Sequence, residues 1–168
     1  GIKCAGLLSL SMDEFDVEAH LEFFNRRAVS RGLKIKQLCC CKNRALILLY
    51  SEKLMEKRLS DCTAKQLLAG YGYGENLSFD ECLDRLSERI CEHGDFPHEI
   101  GVFLGYPFED VKGFIENNGG NFKLCGCWKV YGNVEAAERT FANYGRCRKF
   151  LCNKLNEGID IYQALRIS

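Results

Sequence analysis

The residues best suited to chemistry lie in one stretch, Phe96-Pro97-His98-Glu99-Ile100-Gly101-Val102-Phe103-Leu104-Gly105-Tyr106-Pro107-Phe108-Glu109-Asp110-Val111, which holds one of three histidines and both prolines. An imidazole titrates near neutrality and can take a proton or bind a metal, so His98 is the candidate catalytic base or ligand, with Glu99 adjacent. The same ring could equally be a hydrogen-bonded brace for the turn that Pro97 opens. The apolar run His98 to Leu104 reads as a short strand. It would carry Pro97, His98 and Glu99 at one end and a Gly105-Tyr106-Pro107 turn into a helix at the other. Strand ends and helix N-termini are where sites on α/β sheets form. Neighbouring strand residues face opposite ways, so Glu99 is not expected to orient His98. Trp128, in the aromatic run Trp128-Lys129-Val130-Tyr131, reads first as a core anchor and second as a stacking surface for a ligand. Pro97, His98, Glu99, Gly105, Tyr106 and Trp128 therefore form the expected ligand- or partner-binding set.

The chain has eleven cysteines. Their odd number, the triplet Cys39-Cys40-Cys41 and the ordinary core composition speak against a disulfide framework, because adjacent cysteines rarely reach disulfide geometry. Most read as small apolar core residues kept reduced, in a cytoplasmic protein of an anaerobe. Cys39 and Cys41 share one strand face, as do Cys125 and Cys127. If those strands were neighbours, Cys39, Cys41 and Cys125 could hold a soft metal or a cluster. The Cys-x-Cys spacing is not the Cys-x-x-Cys that usually wraps a metal. A cysteine nucleophile working with His98 is a further possibility. The one cysteine at a helix start, Cys62, follows Asp61, whose charge disfavours a thiolate. There is no phosphate-binding loop, no dinucleotide fingerprint and no His-Glu-x-x-His zinc motif.

Composition bounds the partners. At 168 residues the chain suits one domain, residues 1–168, with a leader segment expected to be missing before Gly1. Lys plus Arg equals Asp plus Glu, at 23 each. Such a balance provides no electrostatic footprint for nucleic acid or anionic lipid. The cluster Arg146, Arg148, Lys149 reads as a solvated helix face. No apolar run approaches the ~20 residues that span a bilayer.

The elements that must position these residues follow from periodicity. Ile2 to Ser11 reads as a strand and Asp13 to Arg31 as a helix closed by Gly32. Leu33 to Cys41 and Arg44 to Tyr50 read as a β-hairpin joined by Lys42-Asn43, a weaker turn signal than Asn-Gly. Helices are expected from Ser51 to Leu59 and from Asp61 to Gly70. Another runs from a Ser78/Glu81 capping box to Glu92. His98 to Leu104 is expected as a strand, Pro107 to Asn118 as a helix, Asn121 to Tyr131 as a strand. A long helix capped by Asn133 and a short one from Ile159 to Ile167 follow. The order predicts an α+β (mixed α/β) single domain with a mixed sheet of about five strands covered by helices.

The run Phe96-Pro97-His98-Glu99-Ile100-Gly101, with Phe103-Leu104-Gly105-Tyr106-Pro107, Asp110-Val111, Cys125-Gly126 and Trp128-Lys129-Val130-Tyr131, resembles a bacterial family. This is the domain-of-unknown-function family numbered 3793, found mainly in anaerobes, and the resemblance spans nearly the whole chain. It implies no established activity or cofactor. It does imply an earlier start, with a His-Cys-x-Pro-Thr-like segment whose cysteine would be the natural partner of His98. The family's usual residue at position 127 is aromatic, which argues against a Cys125/Cys127 metal pair. The family's genes lie near flavodoxin or iron-handling genes. The expected function is a cytoplasmic binding or accessory module for a small ligand or a redox partner such as flavodoxin. The alternatives are a cysteine–histidine hydrolase or transferase with His98 as base, and a thiol-based metal or cluster carrier.

Overall fold

The computed structural model describes residues 2–92 and 96–165. Its first half is built on β1 (Ala5–Ser11), β2 (Leu33–Cys41) and β3 (Arg44–Ser51), all antiparallel, in the order β1-β3-β2. β3 is central because it is apolar on both faces. Ala45 and Ile47 face α1 (Val17–Ala28) through Val17 and Leu21. Leu48 and Tyr50 face the main core. Strands that alternate apolar and polar can sit at an edge, whereas a continuous apolar run demands cover on both sides.

The β2–β3 hairpin turns at Lys42 and Asn43, both with positive φ, at 46° and 62°. That is the geometry two-residue hairpin loops require. β2 is an edge strand, and α1 blunts it: Asn25 Nδ2 donates to Ile35 O at 2.9 Å while Ile35 N donates to Asn25 Oδ1 at 2.8 Å. An edge so occupied is a poorer template for pairing with another chain. β2 also carries a bulge between Gln37 and Cys39.

The main core lies on the other sheet face. It is closed by α2 (Glu52–Leu59), α3 (Cys62–Ala69) and α4 (Phe79–Glu92), with Met55, Leu68, Leu83 and Leu86 buried. The expected capping box at the start of α4 is present: Ser78 N donates to Glu81 Oε2 at 2.8 Å and Glu81 N to Ser78 Oγ at 3.3 Å. Asn133 caps α7 (Val134–Asn156) as expected, and Asp61, where a helix is expected to begin, is the N-cap of α3. α8 (Ile161–Ala164) is shorter than the expected Ile159 to Ile167, whose last two residues lie outside the described residues.

The single five-stranded mixed sheet is corrected. The strands form a three-stranded antiparallel sheet and a separate two-stranded ribbon of β4 (Leu124–Cys125) and β5 (Lys129–Val130). His98 to Leu104 is not a strand. It forms a turn and the short helix α5 (Ile100–Phe103), followed by α6 (Phe108–Glu116). Ile100, Val102, Phe103 and Leu104 are all buried, and a short run buried on every side carries no period to separate strand from helix. The expected strand Asn121 to Tyr131 becomes two short antiparallel rungs because the chain turns back between Cys125 and Lys129, where Gly126 N donates to Trp128 O at 3.0 Å. Beyond them the amides of Tyr131 and Gly132 bond to the Asp110 side chain. Among the described residues no helix is long and apolar enough to cross a membrane.

Candidate functional site

The site begins at Pro97, which is buried and opens a tight turn. Ile100 N donates to Pro97 O at 3.2 Å, Gly101 N to His98 O at 3.3 Å and Val102 N to Glu99 O at 2.9 Å. This winding carries the chain directly into α5. Gly101 is required where α5 meets α6, since a Cβ there would stand 2.8 Å from Val111 Cγ2 and 3.3 Å from Tyr106 Cδ2. Gly105, with φ 78°, reverses the chain between the two helices. It packs so closely on Cys4 that a Cβ would lie 2.6 Å from that residue's own Cβ. Arg58 of α2 locks the same corner by donating from Nε to Val102 O at 3.3 Å and from Nη2 to Tyr106 O.

The opposite wall is the β4–β5 ribbon, held by one carboxylate. Asp110, in the first turn of α6, is 3% exposed. Its Oδ2 accepts from Trp128 Nε1 at 2.7 Å, and its Oδ1 accepts from Tyr131 N at 2.7 Å and Gly132 N at 2.8 Å. A carboxylate buried with three donors is well satisfied, so Asp110 is a structural clamp. It fixes the indole of Trp128, which stacks on Tyr106 at 5.0 Å and 26° and meets the edge of Phe141 at 4.5 Å and 79°. Sequence reasoning passed over Asp110. The available signal was an acid in the first turn of a helix, and a solvent-facing acid looks the same there.

Between these walls lies a cavity of about 340 Å³. Its lining includes Pro97, Ile100, Val111, Phe114, Tyr106 and Trp128, and the exposed Phe96, His98, Cys125 and Cys127 stand at its mouth. The volume falls at the small end of ligand pockets, and an aromatic lining with few polar groups is typical of them. His98 is exposed at the mouth, its ring edge-on to Phe114 at 5.0 Å. Among the described residues neither ring nitrogen has a hydrogen-bond partner. Lys129, by contrast, is committed: its Nζ donates to Gly119 O at 2.6 Å and lies over the rings of Phe114 and Phe122. Burial, then the nearby thiol of Cys127, pushes the Tyr106 phenol up, so it stays a neutral donor, and it reaches Cys127 O at 3.5 Å.

Of the residues expected to form the binding set, Pro97, His98, Tyr106 and Trp128 line this one cavity. Glu99 and Gly105 do not. Glu99 is fully buried on the far side of the turn, where Arg89 Nε donates to its Oε1, while its Oε2 has no hydrogen-bond partner among the described residues. Tyr73 shares that interior: burial first, and then the Glu99 charge, pushes its phenol up. The geometry also separates the cysteines expected to share a metal. Cys39 and Cys41 lie on β2 and Cys125 on β4, in different sheets, so the neighbouring strands that a four-sulfur site requires do not occur. Among the described residues no group of three or more His, Cys, Asp or Glu is placed to hold a metal ion.

The family model described as "Protein of unknown function (DUF3793)" matches residues 1–165, nearly the whole chain, and the chain belongs to that family. Comparison with the curated proteins and with the solved structures found no match.

Proposed function

We propose that this chain is a small-molecule binding module whose site is the cavity between α5, α6 and the β4–β5 ribbon. The observation that carries the reading is a pre-formed aromatic slot with the imidazole of His98 at its mouth, its nitrogens without a hydrogen-bond partner among the described residues. Tyr106, Trp128 and Phe114 offer ring faces and edges to a flat ligand, and such contacts add to simple area burial. His98 would hydrogen-bond a heteroatom at the ligand's edge, which fixes orientation at little cost because the imidazole gives up only solvent. A slot of this size suits a bicyclic or tricyclic heterocycle. Flavodoxin or another redox protein as the occupant draws no support from this concave surface.

Trp128 is the only tryptophan, so its emission reports on the slot. Titration with the planar probes benzimidazole and quinoline should give saturable quenching in the native protein. His98→Ala should weaken it by roughly tenfold, the loss of one hydrogen bond. Cys125→Phe, which fills the mouth from an exposed position, should abolish it. A linear, unsaturable response in the native protein would rule the reading out.

A second reading draws on the presence of Cys125 and Cys127 at the same mouth as His98. In it a thiol of the ribbon, with the imidazole as base, attacks a bound electrophile. The same His98→Ala variant separates the two readings, because only this one expects slower labelling of Cys125 by chloroacetamide when the imidazole is removed.

A further inference from the structure

The bulge in β2 has a chemical consequence outside the slot. Ladder partners in an antiparallel pair point to the same sheet face. Lys36 pairs with Leu48 and Cys39 with Leu46, and Leu46 and Leu48 lie on the same face of β3. Lys36 and Cys39 therefore face the same side, although an unbroken strand would turn residues three apart to opposite sides. That side is the one on which α4 packs.

The register of α4 against β2 is fixed by Lys36 Nζ and Asp84 Oδ1, 2.5 Å apart. From Asp84 to Cys91 is two turns of helix, about 10 Å along the same helix face. From Lys36 to Cys39 the bulge sets three residues of β2 against two of β3, an advance of about 7 Å. α4 runs along β2 in the same direction, since Phe79 at its start packs on Tyr50, the ladder partner of Lys34, and Asp84 pairs with Lys36. Its last turn therefore carries Cys91 to the neighbourhood of Cys39, and the two thiols interact. Cys39 is half-buried, Cys91 is exposed on the last turn of α4, and neither is in a disulfide.

We infer that Cys39 and Cys91 are a reversible disulfide site that cross-links the edge strand β2 to the end of α4 under oxidising conditions. The oxidant is a low-molecular-weight disulfide, RSSR. The exposed Cys91 reacts first. Its thiolate attacks one sulfur of RSSR, the S–S bond breaks, and RS⁻ leaves and takes up the proton that Cys91 released. Cys39 then loses its proton and attacks the Cys91 sulfur of the mixed disulfide, expelling the second RS⁻, which that proton converts to RSH. Two protein thiols are oxidised and one RSSR is reduced to two RSH, so protons and electrons balance. Burial pushes the Cys39 thiol up and so disfavours it as the first attacker; in the second, intramolecular step proximity compensates for its small thiolate fraction. The cross-link would tie down the end of α4, five residues before Phe96 at the mouth of the slot. The inference does not depend on the ligand reading, and either can fail alone.

The test uses the reduced full chain and oxidised glutathione, followed by alkylation and peptide mapping without reductant. The expected product joins Cys91 to Cys39, persists in a C40S/C41S variant, and raises the unfolding midpoint by roughly 5–10 °C over the reduced protein. In Cys39→Ser the cross-link and the shift should vanish and Cys91 should remain as the glutathione adduct. If that variant folds poorly, Cys91→Ser at the exposed partner must remove both effects in its place. Native protein in which Cys91 carries only glutathione, or is joined chiefly to Cys40 or Cys41, would overturn the inference.

Discussion

Asp110, one of the residues that line the slot, ties two of its walls together. One carboxylate serves both the indole of Trp128 and the amides that end β5, so it couples a side-chain wall to a backbone path. Asp110→Asn keeps the shape but removes the charge and turns an amide N–H₂ toward at least one of three donors. Hydrogen bonds to charged groups in buried settings are worth more than neutral ones, and an orphaned donor adds its own cost. The variant should lose about 2–3 kcal/mol of stability. Trp128 emission should shift to the red and become more open to acrylamide before any global unfolding. Unchanged emission with unchanged stability would show that the clamp is not needed. His98 stands at the other extreme: it is exposed, its ring nitrogens have no hydrogen-bond partner among the described residues, and its removal should leave stability nearly untouched.

Among the elements, the β2–β3 hairpin was plain in the sequence, from the alternation Leu33, Ile35 and the apolar run after Arg44. Its turn is formed by residues that are poor at it. Lys42 sits at φ 46°, where a Cβ crowds the backbone, and Asn43 at 62° is better suited but still branched from its Cα. Replacing the pair by Asn-Gly should stabilise the protein by roughly 0.5–1 kcal/mol without moving the register. Urea unfolding would read this as a higher midpoint at constant slope. A lower midpoint would mean that Lys42 makes a contribution the backbone argument omits. α5 is the contrasting case. Its residues carry no periodicity, and it becomes a helix because Gly101 allows α6 to approach and Arg58 takes the carbonyls at its end.

For the molecule as a whole, burial of neutral acids makes stability depend on alkaline pH. Burial pushes the Cys4 thiol from 9.0 to about 11 and the Tyr50 phenol from 10.0 to about 12. Both groups hold their protons more tightly folded than unfolded, so their contribution is complete below the unfolded values. It is lost as pH rises through about 9 to 12. Denaturant midpoints should therefore be level on the acid side of this window and fall across it. Cys4→Ala combined with Tyr50→Phe should make the fall shallower. An equally steep fall in the double variant would place the dependence elsewhere, for instance in the ion pair of Lys34 with Glu52.

By itself the sequence determined the family, the hairpin, the helix caps at Ser78 and Asn133, and the patch of chain around Pro97 and His98. These depend on local periodicity, turn chemistry and motif, which act over a few residues. Only the tertiary structure decided that the patch is a turn and helix, that Glu99 points into the core while His98 faces a slot, and that Asp110 braces the opposite wall. It also decided the strand pairing, which separates Cys125 from Cys39 and brings Cys91 beside Cys39 instead. Those outcomes depend on which distant surfaces meet. A buried apolar run, a first-turn acid or a strand bulge takes its meaning from the partner packed against it, and nothing in the neighbouring residues specifies that partner.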